Sequence, residues 1–218
     1  MKNVVKGAAP DAFEKWKTEG DEGWEPSYAQ LQNPEKQALH KALLAEQGWV
    51  CCYCGREVTL DDSHIEHFRP QDQFEALQLS FENLHASCLK NIGAGLPRHC
   101  GHAKGNRFDE RRIIDPQDVT CEKRFVYTAL GAIAAADASD EPASYMNELL
   151  SLDIPFLRAA RAEVLGNALD AEFLSTASDE DLSQLRDAFS RPDDDGRLPS
   201  FGHVIARYAG QYLPSSGL

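Results

Sequence analysis

Four cysteines frame the part of the sequence that could do chemistry. Cys51 and Cys54 form a C-x-x-C pair, and Cys88 and Cys100 follow downstream. Thiolates are zinc ligands, and four of them make a closed tetrahedral structural site. The stretch they bracket is short and polar and cannot bury much core, so a metal staple would do what apolar packing cannot. Two simpler readings compete. Buried free cysteines pack as small hydrophobes. A redox pair needs a strand-helix context, whereas Cys54-Gly55-Arg56 leads into a turn. Cys51 is preferred to Cys52 as the first ligand because Cys52 to Cys54 is too tight for a knuckle. Cys52 and Cys121 are left over.

Between the cysteine pairs stands Glu66-His67. In an HNH nuclease site, an acid at this place holds a divalent metal. The adjacent His stays free and deprotonates the water that attacks phosphorus, a role suited to imidazole near neutral pH. The metal neutralises phosphate charge and steadies the leaving oxygen. Asn83 can bind the loop backbone and keep the base in register. A lone Glu-His pair is commonly a surface strand feature. Inside this cysteine frame, and followed by Asn83-Leu84 and Cys88, it is far more specific.

The segments Cys51-Cys52-Tyr53-Cys54, His64-Ile65-Glu66-His67-Phe68-Arg69-Pro70, Asn83-Leu84 with Cys88, and Cys100-Gly101-His102 with Lys104-Gly105 resemble the HNH proteins encoded beside an ATPase. These are the nuclease subunits of Septu anti-phage systems, found also in some retron systems. The resemblance is specific from residue 51 to 105 and looser outside. It implies metal-dependent cleavage of nucleic acid, a ββα-metal finger with a structural zinc and a catalytic Mg²⁺ or Mn²⁺, and a partner ATPase. By position, Glu66 is the acidic metal ligand, His67 the general base and Asn83 the middle residue of the triad. Simple HNH fingers carry the third residue directly after the last zinc cysteine, where this chain has Gly101. His102 is the nearest candidate and His99 the next. His64, on the same strand face as Glu66, could also reach the metal. Lys104, Arg107, Arg111 and Arg112 are expected to contact phosphates, the simpler reading being a solvated basic loop.

The elements that must carry these residues divide the chain into a lead-in (1–48), a finger (49–112) and an acidic, mainly helical region (113–218). The pattern predicts a short helix near Asp11–Thr18. A second starts at Asn33-Pro34 and stops at Gly48. Val50 to Arg56 reads as a strand entering the zinc knuckle. Ser63 to Phe68 reads as a strand ended by Arg69-Pro70, and Glu82 to Cys88 as the opening of a helix. A strand pair is expected around Phe125–Tyr127 with a turn at Gly131. Beyond it come a long amphipathic run from Met146 to Leu174, a helix from Ser178 to Phe189 and a last one from Phe201 to Tyr212. Trp16, Trp24 and Trp49 are expected in core or interface. The fold class is α+β, mostly helical around one finger.

A formal net charge of -13 is awkward for a nucleic-acid enzyme, because phosphate backbones favour basic surfaces. The charge is uneven. Residues 137–195 carry 15 acids against 4 arginines, a balance of -11, whereas 98–112 carry five Lys/Arg against two acids, +3. The acidic region is therefore expected to face solvent or a protein partner, and control by an ATPase fits it. No apolar run of about 18 residues occurs, so no membrane span is expected. Met1 to Lys6 lacks a signal-peptide core, and a cytoplasmic location is the expectation. A stand-alone HNH restriction nuclease would need a basic DNA-reading domain, which is not seen. A non-catalytic zinc scaffold would need only the cysteines.

Overall fold

The computed structural model describes residues 1–19, 23–91, 93, 95 and 97–214. Helix α1 (Asp11–Thr18) buries Phe13, and Trp16 packs edge-on against Trp24 at 5.5 Å. Helix α2 (Glu35–Glu46) begins one residue later than expected, with Pro34 rather than Asn33 at the N-cap. Its buried face is Leu39, Leu43 and Leu44. Gly48 ends it at φ +64°, where an added Cβ would meet Leu198 Cγ at 2.6 Å. The chain then turns through the first two cysteines. Instead of a strand, the turn is flanked by a single antiparallel bridge, Val50 to Glu57, and is closed by the Gly55 amide donating to Cys51 O.

Strand β1 (Ser63–His67) pairs antiparallel with β2 (Leu84–Cys88), Ser63 opposite Cys88 and Glu66 opposite His85. The helix expected to open at Glu82–Cys88 is absent. A single 3-10 turn, Phe81–Asn83, passes directly into β2. All five β2 residues are buried. A short segment buried on both faces carries neither a strand nor a helix period, so β1 decides its conformation by pairing with it. One helical turn, α3 (Gly101–Lys104), follows Cys100. The segment thus runs strand, strand, short helix.

A second antiparallel pair, β3 (Phe125–Tyr127) and β4 (Ile133–Ala135), has Gly131 in its turn as expected. The long run from Met146 to Leu174 is three helices, α4 (Glu141–Leu149), α5 (Pro155–Ala168) and α6 (Ala171–Thr176). Pro155 can sit only in a first turn, so it starts a new helix, and Asp170 caps the next by accepting from the Phe173 amide. Helix α7 (Asp179–Ser190) opens on a Ser178–Asp181 capping box. Helix α8 (Gly202–Gly210) is buried along most of its length and packs on α7, α5 and β3. The Phe201 amide donates to Gly55 O and the Leu198 amide to Gly48 O, tying the last helix to the cysteine turn. The hydrophobic core accordingly draws on all three parts of the chain, with Leu43, Tyr53, Leu150 and Tyr208 among its members. The fold is α+β. No helix among the described residues is long and apolar enough to cross a membrane.

Candidate active site

The sulfurs of Cys51, Cys54, Cys88 and Cys100 lie within 4.8 Å of one another, and all four residues are buried. The turn after α2 supplies two, the end of β2 the third, and the residue before α3 the fourth. Cys54 and Cys88 are 3.8 Å apart at sulfur. The edge of a thiolate tetrahedron around zinc is also about 3.8 Å, given Zn–S bonds of about 2.3 Å. Burial pushes the Cys100 thiol well up, and its cysteine neighbours push the same way. Four thiolates packed this closely need a divalent counter-charge, and the cluster could hold a metal such as zinc. Cys52 and Cys121 are buried outside the cluster, where burial favours the neutral thiol and pushes Cys121 up to about 12.

His99 packs against this cluster, its Nδ1 3.2 Å from Cys100 Sγ and 3.6 Å from Cys88 Sγ. A ring nitrogen there can donate to a thiolate, so His99 supports the cysteines.

Glu66 is 7% exposed and its carboxylate is almost fully engaged. Tyr53 Oη donates to Oε1 at 3.1 Å, and Lys104 Nζ pairs with the same oxygen at 2.8 Å. His64 Nε2 is 3.4 Å from Oε2. Burial alone would raise the pKa of this carboxyl. The contacts with His64 and Lys104 outweigh burial and hold it below the usual range, so Glu66 is an anion at neutral pH.

His67 ends β1 beside it. Its Nε2 lies 3.0 Å from Gln78 O. A carbonyl only accepts, so Nε2 carries the proton and Nδ1 bears the lone pair. That nitrogen faces Gln71, whose amide Nε2 is 3.3 Å away and can donate to it. The Tyr28 ring stands edge-on to the imidazole at 4.4 Å. Burial lowers the His67 pKa, and the base form therefore dominates at neutral pH. Glu66, His67, Gln71, Gly101, Lys104 and Asn106 line one open pocket.

Asn83 clamps the loop that follows β1. Its Oδ1 accepts from the Arg69 amide at 2.7 Å, and its Nδ2 donates to Arg69 O at 3.0 Å and Leu77 O at 3.2 Å. Leu77 immediately precedes Gln78, the residue that anchors the His67 ring. One side chain therefore fixes both ends of the loop that orients the base.

The remaining candidates lie elsewhere. His102 gives Nε2 to Leu89 O and packs its ring on His64 at 4.7 Å. Lys104, expected at phosphates, is 2% exposed and points inward, donating to His67 O at 3.0 Å as well as pairing with Glu66. Arg107 caps α3 and the end of α4 through Lys104 O and Leu149 O. Arg112 pairs with Asp109 at 2.7 Å, and Arg111 is exposed. Sequence reasoning did not single out Tyr53, Tyr28, Gln71 or Gln78. Tyr53 stands inside the C-x-x-C, which was the only signal available. Gln78 acts through its backbone carbonyl, which no sequence pattern marks.

No family model and no curated protein matches the chain. The site itself offers an ionised buried acid next to an imidazole whose unprotonated Nδ1 accepts from Gln71 at a pocket. The carboxylate is of the ligand type that hard divalent cations take.

Proposed function

We propose that this chain is a metal-dependent HNH endonuclease that hydrolyses phosphodiester bonds. The observation that carries the reading is the orientation of His67. Its Nε2 proton is committed to Gln78 O, and Nδ1 is left as an acceptor at the pocket beside Glu66. His67 takes the proton of the attacking water at Nδ1. Asn83 and Gln78 hold the ring against rotation as it charges. Lys104 and Tyr53 keep Glu66 in one place and ionised, so that it can hold a divalent cation. When bound, that cation neutralises phosphate charge and steadies the leaving oxygen. The strand, strand, short helix order supports a ββα-metal finger, with zinc on the four cysteines fixing α3 against the strands.

The test compares wild type with His67→Ala under single-turnover conditions with Mg²⁺ or Mn²⁺. The variant is expected to lose about 10²–10⁴-fold in rate, the usual worth of a general base. Its zinc content should stay at that of wild type. Equal rates would remove the assignment and leave a zinc-stapled scaffold.

We further propose that activity is controlled by an ATPase partner, as the resemblance to Septu nuclease subunits implies. The acidic first turn of α7, Asp179 and Glu180, is exposed and supports docking away from the pocket. Co-purification with the ATPase should survive His67→Ala and weaken on Asp179→Asn/Glu180→Gln. A complex that tolerates the charge removal would place the partner elsewhere.

A further inference from the structure

We propose that His64, on β1, is the second protein ligand of the divalent cation, in the space that Gly101 leaves open. This rests on the nuclease reading above and names the ligand set of the same site. A Cβ on Gly101 would fall 2.4 Å from Glu66 Oε2 and 2.8 Å from His64 Nε2. Position 101 therefore points straight at the free oxygen of Glu66, and only a residue without a side chain lets the His64 ring stand there. Any side chain at 101 would crowd both Glu66 and His64, so the glycine keeps this pair together.

His64 and Glu66 are two residues apart on β1 and so share a face. Nδ1 of His64 lies 3.0 Å from Leu89 O. A carbonyl can only accept, so Nδ1 carries the proton, and in the neutral ring Nε2 is a bare lone pair. That lone pair faces Glu66 Oε2 at 3.4 Å. A proton on Nε2 or a divalent cation can bridge this pair, and a bound cation takes the proton's place between the ring and Glu66. A metal-binding imidazole characteristically gives its other N–H to a backbone carbonyl or carboxylate, as His64 does. Neighbouring ligands around a small octahedral cation, each about 2.1 Å away, are about 3 Å apart. The donor pair is close to that spacing and needs only a small closure. Two protein ligands leave the other positions for water and a phosphate oxygen, the usual state of Mg²⁺ on a protein. His102 cannot use Nε2 for this, because that nitrogen is given to the same Leu89 carbonyl. Its ring, 4.7 Å from that of His64, buttresses the ligand.

The test is Mn²⁺ binding to the zinc-loaded full chain, read by electron paramagnetic resonance. Free and bound Mn²⁺ give the affinity, and electron spin-echo modulation reports directly coordinated ¹⁴N. Wild type should bind one ion with an imidazole nitrogen. His64→Ala, and His64→Gln should the smaller side chain unfold the strand, should lose the nitrogen signal and bind at least about tenfold more weakly. His102→Ala should keep the signal. A nitrogen signal that survives in both His64 variants overturns the proposal while leaving the nuclease reading intact. Wild-type chain that binds no Mn²⁺ overturns the ion site and the metal-dependent reading together.

Discussion

Between Ser63 and Lys104 the buried side chains include Glu66, His67, Asn83, His85, Ser87, His99 and Lys104. Between Glu141 and Gly210 they are Leu149, Leu157, Leu165, Val204, Ile205 and similar apolar groups, with Arg161 and His203 as the buried polar members among the described residues. The helical region is held by area removed from water, a non-directional force that tolerates small shifts. The finger shares in that core through Phe81, Leu84 and Ala86 and adds a second means. Each buried polar group costs about 1–3 kcal/mol if its partner is missing, and most of those in the finger are held by directed contacts, His85 having no partner on either ring nitrogen. Asn83 on Arg69 and Leu77, Lys104 on Glu66 and His67 O, and the cysteine cluster are those contacts. Precision of position is gained where a site needs it, at the expense of apolar stability.

The comparison breaks most visibly at the cysteines. Cys88→Ser should abolish the zinc binding proposed for the cluster, and structural zinc contributes about 10–16 kcal/mol to the folding of small domains. Hydrogen exchange should show amide protection lost across 63–104 while α5, α7 and α8 keep most of theirs. Protection that persists in β1 and β2 without metal would mean that the finger is held by packing after all. Leu165→Ala attacks the other region. Leu165 is 1% exposed, and a cavity there should cost about 2–5 kcal/mol. Thermal unfolding should report the loss, with zinc content unchanged. Zinc release in this variant would show that the two regions are not separable in this sense.

Asn83→Ala is the finer test of directed contacts. It strips partners from the Arg69 amide and from two carbonyls, at about 1–3 kcal/mol. It should lower the cleavage rate more than Leu165→Ala does, because the loop it clamps orients His67. Equal rates in the two variants would deny Asn83 its positioning role. The smallest effect is on the pH profile. Burial holds His67 below its ordinary 6.5, and the proposed reaction uses the neutral ring. The rate should therefore fall only as pH drops through an inflection below that value, and should be flat above it until another group titrates. An inflection above 6.5 would mean an exposed or anion-paired base.

The residue types of the site, and much of the helical content, were legible without coordinates. The four clustered cysteines, Glu66-His67 and Asn83 could be picked out by type and spacing because candidate ligands and bases are chemical identities. Helices α1, α2 and α7 were legible because caps and periodicity are local. Three things were settled only by tertiary structure. Segment 84–88 is a strand because β1 supplies its hydrogen bonds, and a short run buried on both faces has no period of its own. Lys104 points inward because Glu66 and the His67 carbonyl stand there, although its neighbourhood in sequence reads as a solvated basic loop. The unprotonated nitrogen of His67 is chosen by Gln78 O, and the space in front of Glu66 and His64 exists because position 101 has no side chain. Backbone carbonyls occur at every residue, and an unfilled space has no residue type. Neither leaves a mark in a sequence, and both exist only once the chain has folded.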